Sequence, residues 1–289
     1  MAGNTGTGVY KREEESYDAF VNINNIADLK VESESPMYLG GNVSITDAIH
    51  YFARAGNSDP KWTEISKHLA NIANLGIRNQ GTLAGNLMMK HAHPDFPSDV
   101  FVCLETLGAT LELLDSAGAV EEISVESLLG ADMTRRLIKT IKFPAKRQVR
   151  SVAGRVRVGR MWMRAGPGQA AGATHTFLKT FKIMPRSSNA HAYVNAGFLA
   201  NVDIEKNYEI VGAPTIVYGG ISSNLIHARK TEQFLEGKNM TDHGMFMAAI
   251  DILETEITPD TTGKPGEYRK QLGLSLFYKV NMSASVCRR

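Results

Sequence analysis

Two glycine-rich segments about 80 residues apart are the feature that most limits what this chain can fold into. The first is Gly3-Asn4-Thr5-Gly6-Thr7-Gly8, and the second covers residues 76–87. Glycine allows positive φ angles and lets a ligand approach the backbone, and successive exposed amides in such a turn form a concave set of donors for an anion. Two such sets acting together suit one extended ligand that carries a diphosphate.

Neither segment matches the dinucleotide-binding fingerprint of a Rossmann unit. No helix pattern follows the first, the second lacks the glycine spacing of a dinucleotide-binding helix, and a P-loop is absent. We therefore expect two loops that bind through main-chain amides, without a helix dipole as the main attraction. Two simpler interpretations stay open: a glycine-rich chain start is often a mobile terminus, and glycine after a helix commonly caps and turns.

The composition is that of a globular protein with one large domain or two ordinary ones. Of 289 residues, 43% are hydrophobic and 21% are charged, which is enough apolar material to bury a core. No apolar run approaches the roughly 18 residues of a membrane span, and no secretory signal is visible, so we expect a cytoplasmic protein. Two cysteines are too few for a disulfide scaffold, a cysteine zinc site or an iron–sulfur cluster.

The segment 145–175 is unusual because it carries seven basic residues and no acidic one. The rest of the chain holds more acidic than basic residues, which argues against nucleic-acid binding over the whole surface. Five glycines and the lack of a lasting period predict a loop or linker here. The predicted domains are therefore residues 1–144 and 176–289, with 145–175 as a basic insert between them.

The patterns within both domains predict an α+β fold. In the first domain they indicate strands at 18–23, 37–39 and 137–143, a hairpin over 110–123, and helices that begin after Ser44, at Pro60 and near Pro97. In the second domain, strands at 177–184, 192–202 and 211–221 precede helices with apolar faces at 246–257 and 268–280. Strands followed by helices favour a segregated α+β arrangement.

Several motifs resemble the flavin segment of xanthine dehydrogenase and aldehyde oxidase, the molybdenum hydroxylases. In chain order they are Gly3-Asn4-Thr5-Gly6, Thr82-Leu83-Ala84-Gly85-Asn86, Pro97-Ser98-Asp99, Ile138–Pro144, Phe181-Lys182, Tyr218-Gly219-Gly220 and Tyr268-Arg269-Lys270. The resemblance covers nearly the whole chain outside the basic insert. Residues 181–186 and 189–195 are more similar to aldehyde oxidases, particularly those of insects.

The resemblance implies a vanillyl-alcohol-oxidase (PCMH) type FAD-binding domain, incomplete at its N-terminus, followed by a domain like the C-terminal domain of carbon monoxide dehydrogenase flavoproteins. It also implies FAD as cofactor, with electrons arriving from iron–sulfur clusters and leaving to dioxygen or NAD. The clusters and molybdopterin would belong to other segments of a homodimeric enzyme, without which this segment would be inactive. No membrane or nucleic-acid partner is implied.

The resemblance also implies which residues contact the cofactor, while no catalytic residue is implied. Main-chain amides of the two glycine segments would hold the diphosphate, Asp99 would accept a hydrogen bond from a flavin hydroxyl or fix the second segment, and Lys182 would lie near the isoalloxazine. Ile138 would pack on the flavin, and Leu39 stands where the family often has an aromatic residue. The implied set is Ala2, Gly3, Asn4, Thr5, Gly6, Thr7, Gly8, Val9, Leu39, Thr82, Leu83, Ala84, Gly85, Asn86, Asp99, Ile138 and Lys182.

Two features of the sequence permit other interpretations. His91, His93 and Asp95 have a spacing compatible with a metal, but no further ligand cluster supports a site, and we expect none. The alternative function is a truncated fragment that binds no cofactor and acts at most as an interaction or structural piece. Flavin bound to the purified protein would separate these two functions.

Overall fold

The computed structural model describes residues 3–10, 19–144, 155–158, 161–164, 174–260 and 265–286. The chain divides into two compact units, Met1–Ala145 with Met184–Ala192, and Lys146–Ile183 with Tyr193–Arg289. The nine residues 184–192 group with the first unit because Asn189 donates its amide to the carbonyl of Ala73 (3.2 Å) and the His191 ring lies 5.3 Å from that of Phe96.

A five-stranded antiparallel sheet forms one layer of the first unit, in the order β1-β2-β5-β3-β4. Its strands are β1 (Glu32–Glu34), β2 (Met37–Gly40), β3 (Thr110–Asp115), β4 (Val120–Ser124) and β5 (Arg136–Lys142). Alternate residues of β3, Leu111 and Leu113, are buried, as expected for a strand with one face on a core. The predicted strand over 18–23 is wrong: residues 19–23 form no regular structure, and position 18 lies outside the described residues.

Helices supply the rest of the core of the first unit. They are α1 (Ile45–Ala55), α2 (Pro60–Leu69), α3 (Leu75–Gln80), α4 (Leu83–Ala92) and α5 (Asp99–Thr106). The predicted starts of α1 and α2 are confirmed, since Ser44 accepts the amide of Asp47 and Asp59 precedes a proline at the first helical position. Trp62 on α2 stacks on Phe52 of α1, with ring centroids 5.5 Å apart.

The second unit is built on a second antiparallel sheet whose central strand is β9. The described strands of this unit are β6 (Arg155–Val158), β7 (Met161–Arg164), β8 (Thr174–Ile183), β9 (Val194–Asp203), β10 (Glu209–Ile210), β11 (Thr215–Gly219) and β12 (Ile226–His227). Strand β8 pairs along the whole of β9, so β11 and β10 share the other edge of β9. Among the described residues, strands β6 and β7 pair with each other and with no other strand. The expectation of a loop over 145–175 missed them, although valine and arginine alternate over residues 155–158.

Three helices cover this sheet: α6 (Arg229–Leu235), α7 (His243–Glu256) and α8 (Gly266–Val286). Phe198 of β9 packs between Tyr218 of β11 and Phe277 of α8, with centroid distances of 5.5 and 6.0 Å. Both units therefore combine an antiparallel sheet with helices, which confirms the predicted α+β class. Among the described residues, no helix is both long enough and apolar enough to cross a bilayer.

Replacing Phe277 with alanine tests the packing of α8. The Phe277 ring is 2% exposed and stacks on Phe246 of α7 at 4.4 Å, so we expect Phe277→Ala to lower the free energy of unfolding by about 3–5 kcal/mol. The neighbouring Tyr278 is 39% exposed, and Tyr278→Ala should cost about 1 kcal/mol or less. Urea denaturation measures both; equal losses would contradict this packing.

Candidate functional site

The first glycine segment forms a tight turn with the backbone of an anion-binding nest. Gly3 and Asn4 have left-handed φ angles of 58° and 50°, and a 3-10 turn, Thr5–Gly8, follows. A left-handed residue followed by a right-handed one directs successive amides, here those of Asn4, Thr5 and Gly6, toward one point. The first amides of a helical turn also have no partner within that turn. Ala2 lies outside the described residues.

The two glycine segments lie against each other in the first unit. A Cβ atom added to Gly3 would be 2.1 Å from the carbonyl oxygen of Gln80, and one added to Gly81 would be 3.2 Å from Oγ1 of Thr5. Glycine is therefore required at position 3 for two reasons: the positive φ angle and the close approach of the Gln80 carbonyl. The structure brings together the two segments that the sequence singled out.

The second segment is helical, so the predicted irregular loop is wrong. Residues 75–80 form α3, and Thr82 caps α4 by accepting the amide of Gly85 (3.0 Å). Burial of Leu83 and Leu87, at 1% and 0% exposure, stabilises this helix despite its glycine and asparagine content. Sequence reasoning missed the helix because it weighed local propensity and not this burial.

The amides of the second segment are bonded within the protein. Leu83 donates to the carbonyl of Val43 (3.1 Å), Ala84 to that of Gly41 (3.0 Å) and Asn86 to that of Thr82 (3.0 Å), while Gly85 uses the Thr82 hydroxyl. These four amides are thus committed to structure. The N-terminus of α4 carries the partial positive charge of the helix dipole, which attracts an anion.

A polar cavity of about 520 Å³ opens beside the nest and is lined entirely by residues of the first unit. Its walls are Gly3, Asn4, Phe20, Asn22, Asn24, Lys30, Asn42, Ser44, Asp47, Asn79, Gln80 and Thr82. Only Gly3, Asn4 and Thr82 belong to the set that the sequence predicted. Gly40-Gly41-Asn42, directly after β2, was the available sequence signal for the missed wall.

Asn42 is the most buried side chain of this wall. It is 5% exposed, and its Nδ2 donates to the carbonyl of Ile23 (2.9 Å). Its Oδ1 is buried and accepts no hydrogen bond within the part of the chain that the structure describes. A buried acceptor without a partner costs about 1–3 kcal/mol.

The other predicted residues lie in three different places. Leu39 (0% exposed) and Ile138 (4% exposed) are on β2 and β5 within the core of the first unit. Lys182 is on β8 of the second unit, opposite Asn195 of β9. Asp99 begins α5, where the preceding Ser98 donates its hydroxyl to Oδ1 of Asn86 (2.6 Å) and so ties α5 to α4.

Asp99 is paired with a buried histidine that the sequence analysis did not identify. Nε2 of His68 on α2 lies 3.3 Å from Oδ1 of Asp99, and the two side chains are 2% and 7% exposed. Burial lowers the pKa of His68, but the charge interaction with Cys103 and hydrogen bonds to Asp99 and Cys103 outweigh it and raise this pKa to about 10. His68 is therefore protonated at neutral pH and holds the Asp99 carboxylate in place.

The histidines considered for a metal have other neighbours. A ring nitrogen of His91 lies 2.9 Å from the carbonyl oxygen of Ala131, and the His93 ring stacks on Tyr10 with centroids 3.7 Å apart.

The chemistry of the walls fits an extended nucleotide cofactor. The nest offers amide donors to phosphate, and the cavity offers carboxamides and hydroxyls to sugar and base. Within the described residues, Asn42 Oδ1 in this wall is a buried acceptor without a hydrogen-bond partner.

The His68–Asp99 pair predicts a pH dependence of stability. Because the folded pKa of His68 is raised to about 10, its contribution is complete below the unfolded value near 6.5 and is lost as pH rises through 10. Between these values, the unfolding free energy should fall by about 1.4 kcal/mol per pH unit more in the wild type than in His68→Gln. His50→Gln, at an exposed position of α1, should keep the wild-type pH profile. Parallel profiles for wild type and His68→Gln in urea denaturation would contradict the pairing.

Solved structures of two oxidoreductases share the fold. The chain is similar to a chain of Cu,Mo-CO dehydrogenase, with a TM-score of 0.72, 18% identity and coverage of 99% of this chain and 89% of that one. It is also similar to a chain of quinoline 2-oxidoreductase from Pseudomonas putida 86, with a TM-score of 0.73, 20% identity and coverage of 99% and 88%.

Curated relatives are plant aldehyde oxidases. An indole-3-acetaldehyde oxidase of Arabidopsis thaliana is 30% identical over 96% of this chain and 20% of the relative. The abscisic-aldehyde oxidase of the same plant is 28% identical over 96% and 20%. The chain thus spans about a fifth of the length of the curated relatives it matches. The particular likeness to insect enzymes stays a prediction.

Two family models match the chain in the order that the sequence predicted. The CO dehydrogenase flavoprotein C-terminal domain matches residues 179–284, and the FAD binding domain in molybdopterin dehydrogenase matches residues 1–146, half of the chain. Together with the fold, these matches confirm the predicted resemblance, fold class and FAD cofactor. The chain belongs to the family of FAD-binding domains in molybdopterin dehydrogenases.

Proposed function

We propose that this chain is the FAD-binding segment of an aldehyde oxidase-like molybdenum hydroxylase and passes electrons through FAD. The observation that carries the proposal is the nest at Asn4–Gly6, which lies against the α3–α4 junction beside a polar cavity. Bound FAD would supply the capacity to accept and release electrons. The protein supplies the binding surface.

The nest is assigned to the diphosphate. Its amides carry partial positive charge, and the N-terminus of α4, capped by Thr82, adds the positive end of a ten-residue helix. Gly85 at the third position of α4 is exposed and leaves this end open. Thr7, Gly8 and Val9 are proposed to support the diphosphate site because they close the turn. The amide of Val9 donates to the carbonyl of Gly6 (2.9 Å).

Asp99 is assigned the role of fixing the second segment. His68 holds its carboxylate, and the neighbouring Ser98 is bonded to Asn86 of that segment. Of the two roles that the resemblance implied, this one has the support of named contacts. Leu39, Ile138 and Lys182 keep their proposed places beside the flavin on the resemblance alone.

The activity of the whole enzyme is also proposed from the relatives. In this proposal, iron–sulfur and molybdenum domains deliver electrons to FAD, dioxygen or NAD accepts them, and the enzyme is a cytoplasmic homodimer. Two cysteines cannot hold such clusters, so the clusters would belong to other segments. In the same proposal, the aldehyde reacts at the molybdenum domain and does not meet this segment.

Purification tests cofactor binding directly. We expect the recombinant protein to be yellow, with an absorption spectrum of bound flavin, and to release FAD on denaturation in a ratio approaching one per chain. Protein that is colourless and remains so after incubation with FAD and desalting would overturn the proposal in favour of a fragment without a cofactor.

Substituting Gly3 tests the nest. Gly3→Ala places a Cβ at 2.1 Å from the Gln80 carbonyl oxygen on a backbone with φ of 58°, so the turn must move, and we expect FAD affinity to fall at least tenfold. Gly118→Ala is the matched control, since Gly118 also has a positive φ of 86° but nothing lies within 4 Å of the added atom. Fluorescence titration with FAD gives both affinities. A nest that binds no phosphate would leave the two variants alike.

A further inference from the structure

Tyr10 lies just after the first glycine segment and stacks on His93. The two ring centroids are 3.7 Å apart, and the ring planes differ by 6°. Phe96, which is 6% exposed, meets the Tyr10 ring edge-on with centroids 6.3 Å apart. Burial and, as a smaller effect, the charge of Asp95 raise the pKa of Tyr10 to about 12. The stacked phenol is therefore neutral at neutral pH.

His93 contacts Tyr10 from the end of α4. The amide of His93 donates to the carbonyl of Met89 (2.9 Å), which continues the helical hydrogen bonding past Ala92. Residues four apart in a helix are neighbours on one face, and a Cβ added to Gly6 would be 3.1 Å from Sδ of Met89. This face of α4 therefore contacts the first glycine segment at Gly6 and the following chain at Tyr10.

The peptide groups of Gly6 link the ring stack to the nest. The carbonyl of Gly6 accepts the amides of Val9 (2.9 Å) and Tyr10 (3.1 Å), and the amide of Gly6 is one of the nest donors. A movement of Tyr10 away from α4 would therefore move a residue that carries a nest donor. At the other end of the segment, Gly3 lies against the carbonyl of Gln80. The nest is thus held against the protein on both sides.

We propose that Tyr10 is a positioning residue for the diphosphate: its stack on His93 holds the first glycine segment against α4, so that the nest amides converge before the ligand binds. This inference rests on the proposed function and adds two residues that lie outside the set implied by the resemblance. Amides that are already oriented need no ordering on binding, and the entropy cost that is avoided strengthens binding.

Tyr10→Ala tests the inference because it removes the ring. We expect the variant to bind FAD and ADP, which both carry a diphosphate, about five- to tenfold more weakly, the size of one or two aromatic contacts. Tyr10→Phe keeps the stack and should bind both ligands like the wild type. Calorimetric titration measures these affinities. Tyr278→Ala is the matched control, since it removes a tyrosine that meets His243 edge-on in the second unit, with centroids 6.5 Å apart, and it should not weaken binding.

A double-mutant cycle tests whether the two rings act as one unit. His93→Ala should weaken FAD binding about as much as Tyr10→Ala, and the double variant should lose little more than either single variant, because both changes remove the same contact. Fully additive losses, or a His93→Ala variant that binds FAD like the wild type, would overturn the role of the stack.

Hydrogen exchange in the ligand-free protein distinguishes positioning from overall stability. Tyr10→Ala should speed exchange of the amides of residues 9 and 10, which donate to Gly6, and should leave exchange in α5 unchanged. Tyr10→Phe should restore the slow exchange at both positions. Wild-type exchange rates at residues 9 and 10 in Tyr10→Ala would contradict the inference without any measurement on a ligand.

The outcomes separate the inference from the proposed function. Wild-type protein that binds neither FAD nor ADP overturns the proposed function and the inference with it. Wild-type protein that binds FAD, with Tyr10→Ala binding it equally well, overturns the inference alone. Equal losses in Tyr10→Ala and Tyr278→Ala would show a general effect on the fold and would also overturn the inference.

Discussion

Main-chain hydrogen bonds between residues 41–45 and the junction of α3 and α4 hold the candidate site together. The amide of Ile45 donates to Gly81, and those of Leu83 and Ala84 donate to Val43 and Gly41. Gly41 permits this approach, since a Cβ there would be 2.1 Å from the carbonyl oxygen of Ile138 on β5. Main-chain hydrogen bonds therefore join the sheet, the start of α1 and the start of α4. This junction fixes the positions of the cavity walls.

The amides of the second glycine segment hold this junction together. The amides at the start of α4 are used to join α4 to residues 41–43 and to its own cap, while the turn at Gly3 and Asn4 lies on the surface of that junction with its amides directed to one point. The second glycine segment thus anchors the fold, and the proposed diphosphate contacts come from the first segment together with the N-terminus of α4. A buried ion pair of His68 and Asp99 supports α5, and Ser98 at the start of α5 is bonded to Asn86 of the second segment.

Much of the fold could be predicted because its signals are local. The cap at Ser44, the Asp59-Pro60 start of α2 and the hairpin around Gly118 depend on neighbours within a few residues, and all three are present. The helix at 83–92 could not be predicted in the same way. Its composition favours a loop, and the burial of Leu83 and Leu87 that overrides this preference depends on partners distant in sequence. The cavity wall at Asn42 was missed for the same reason.

The sequence by itself determined the α+β class, the order of the two domains, the pair of glycine segments and, through its motifs, the flavin family. These follow from periodicity, turn chemistry and short motifs, which are written in consecutive residues. Only the tertiary structure decided that the amides of residues 83–86 are bonded within the protein, that Asn42 carries a buried acceptor without a partner among the described residues, and that His68 pairs with Asp99. Hydrogen-bond satisfaction is a property of groups far apart in the chain, and it exists only once the backbone has brought them together.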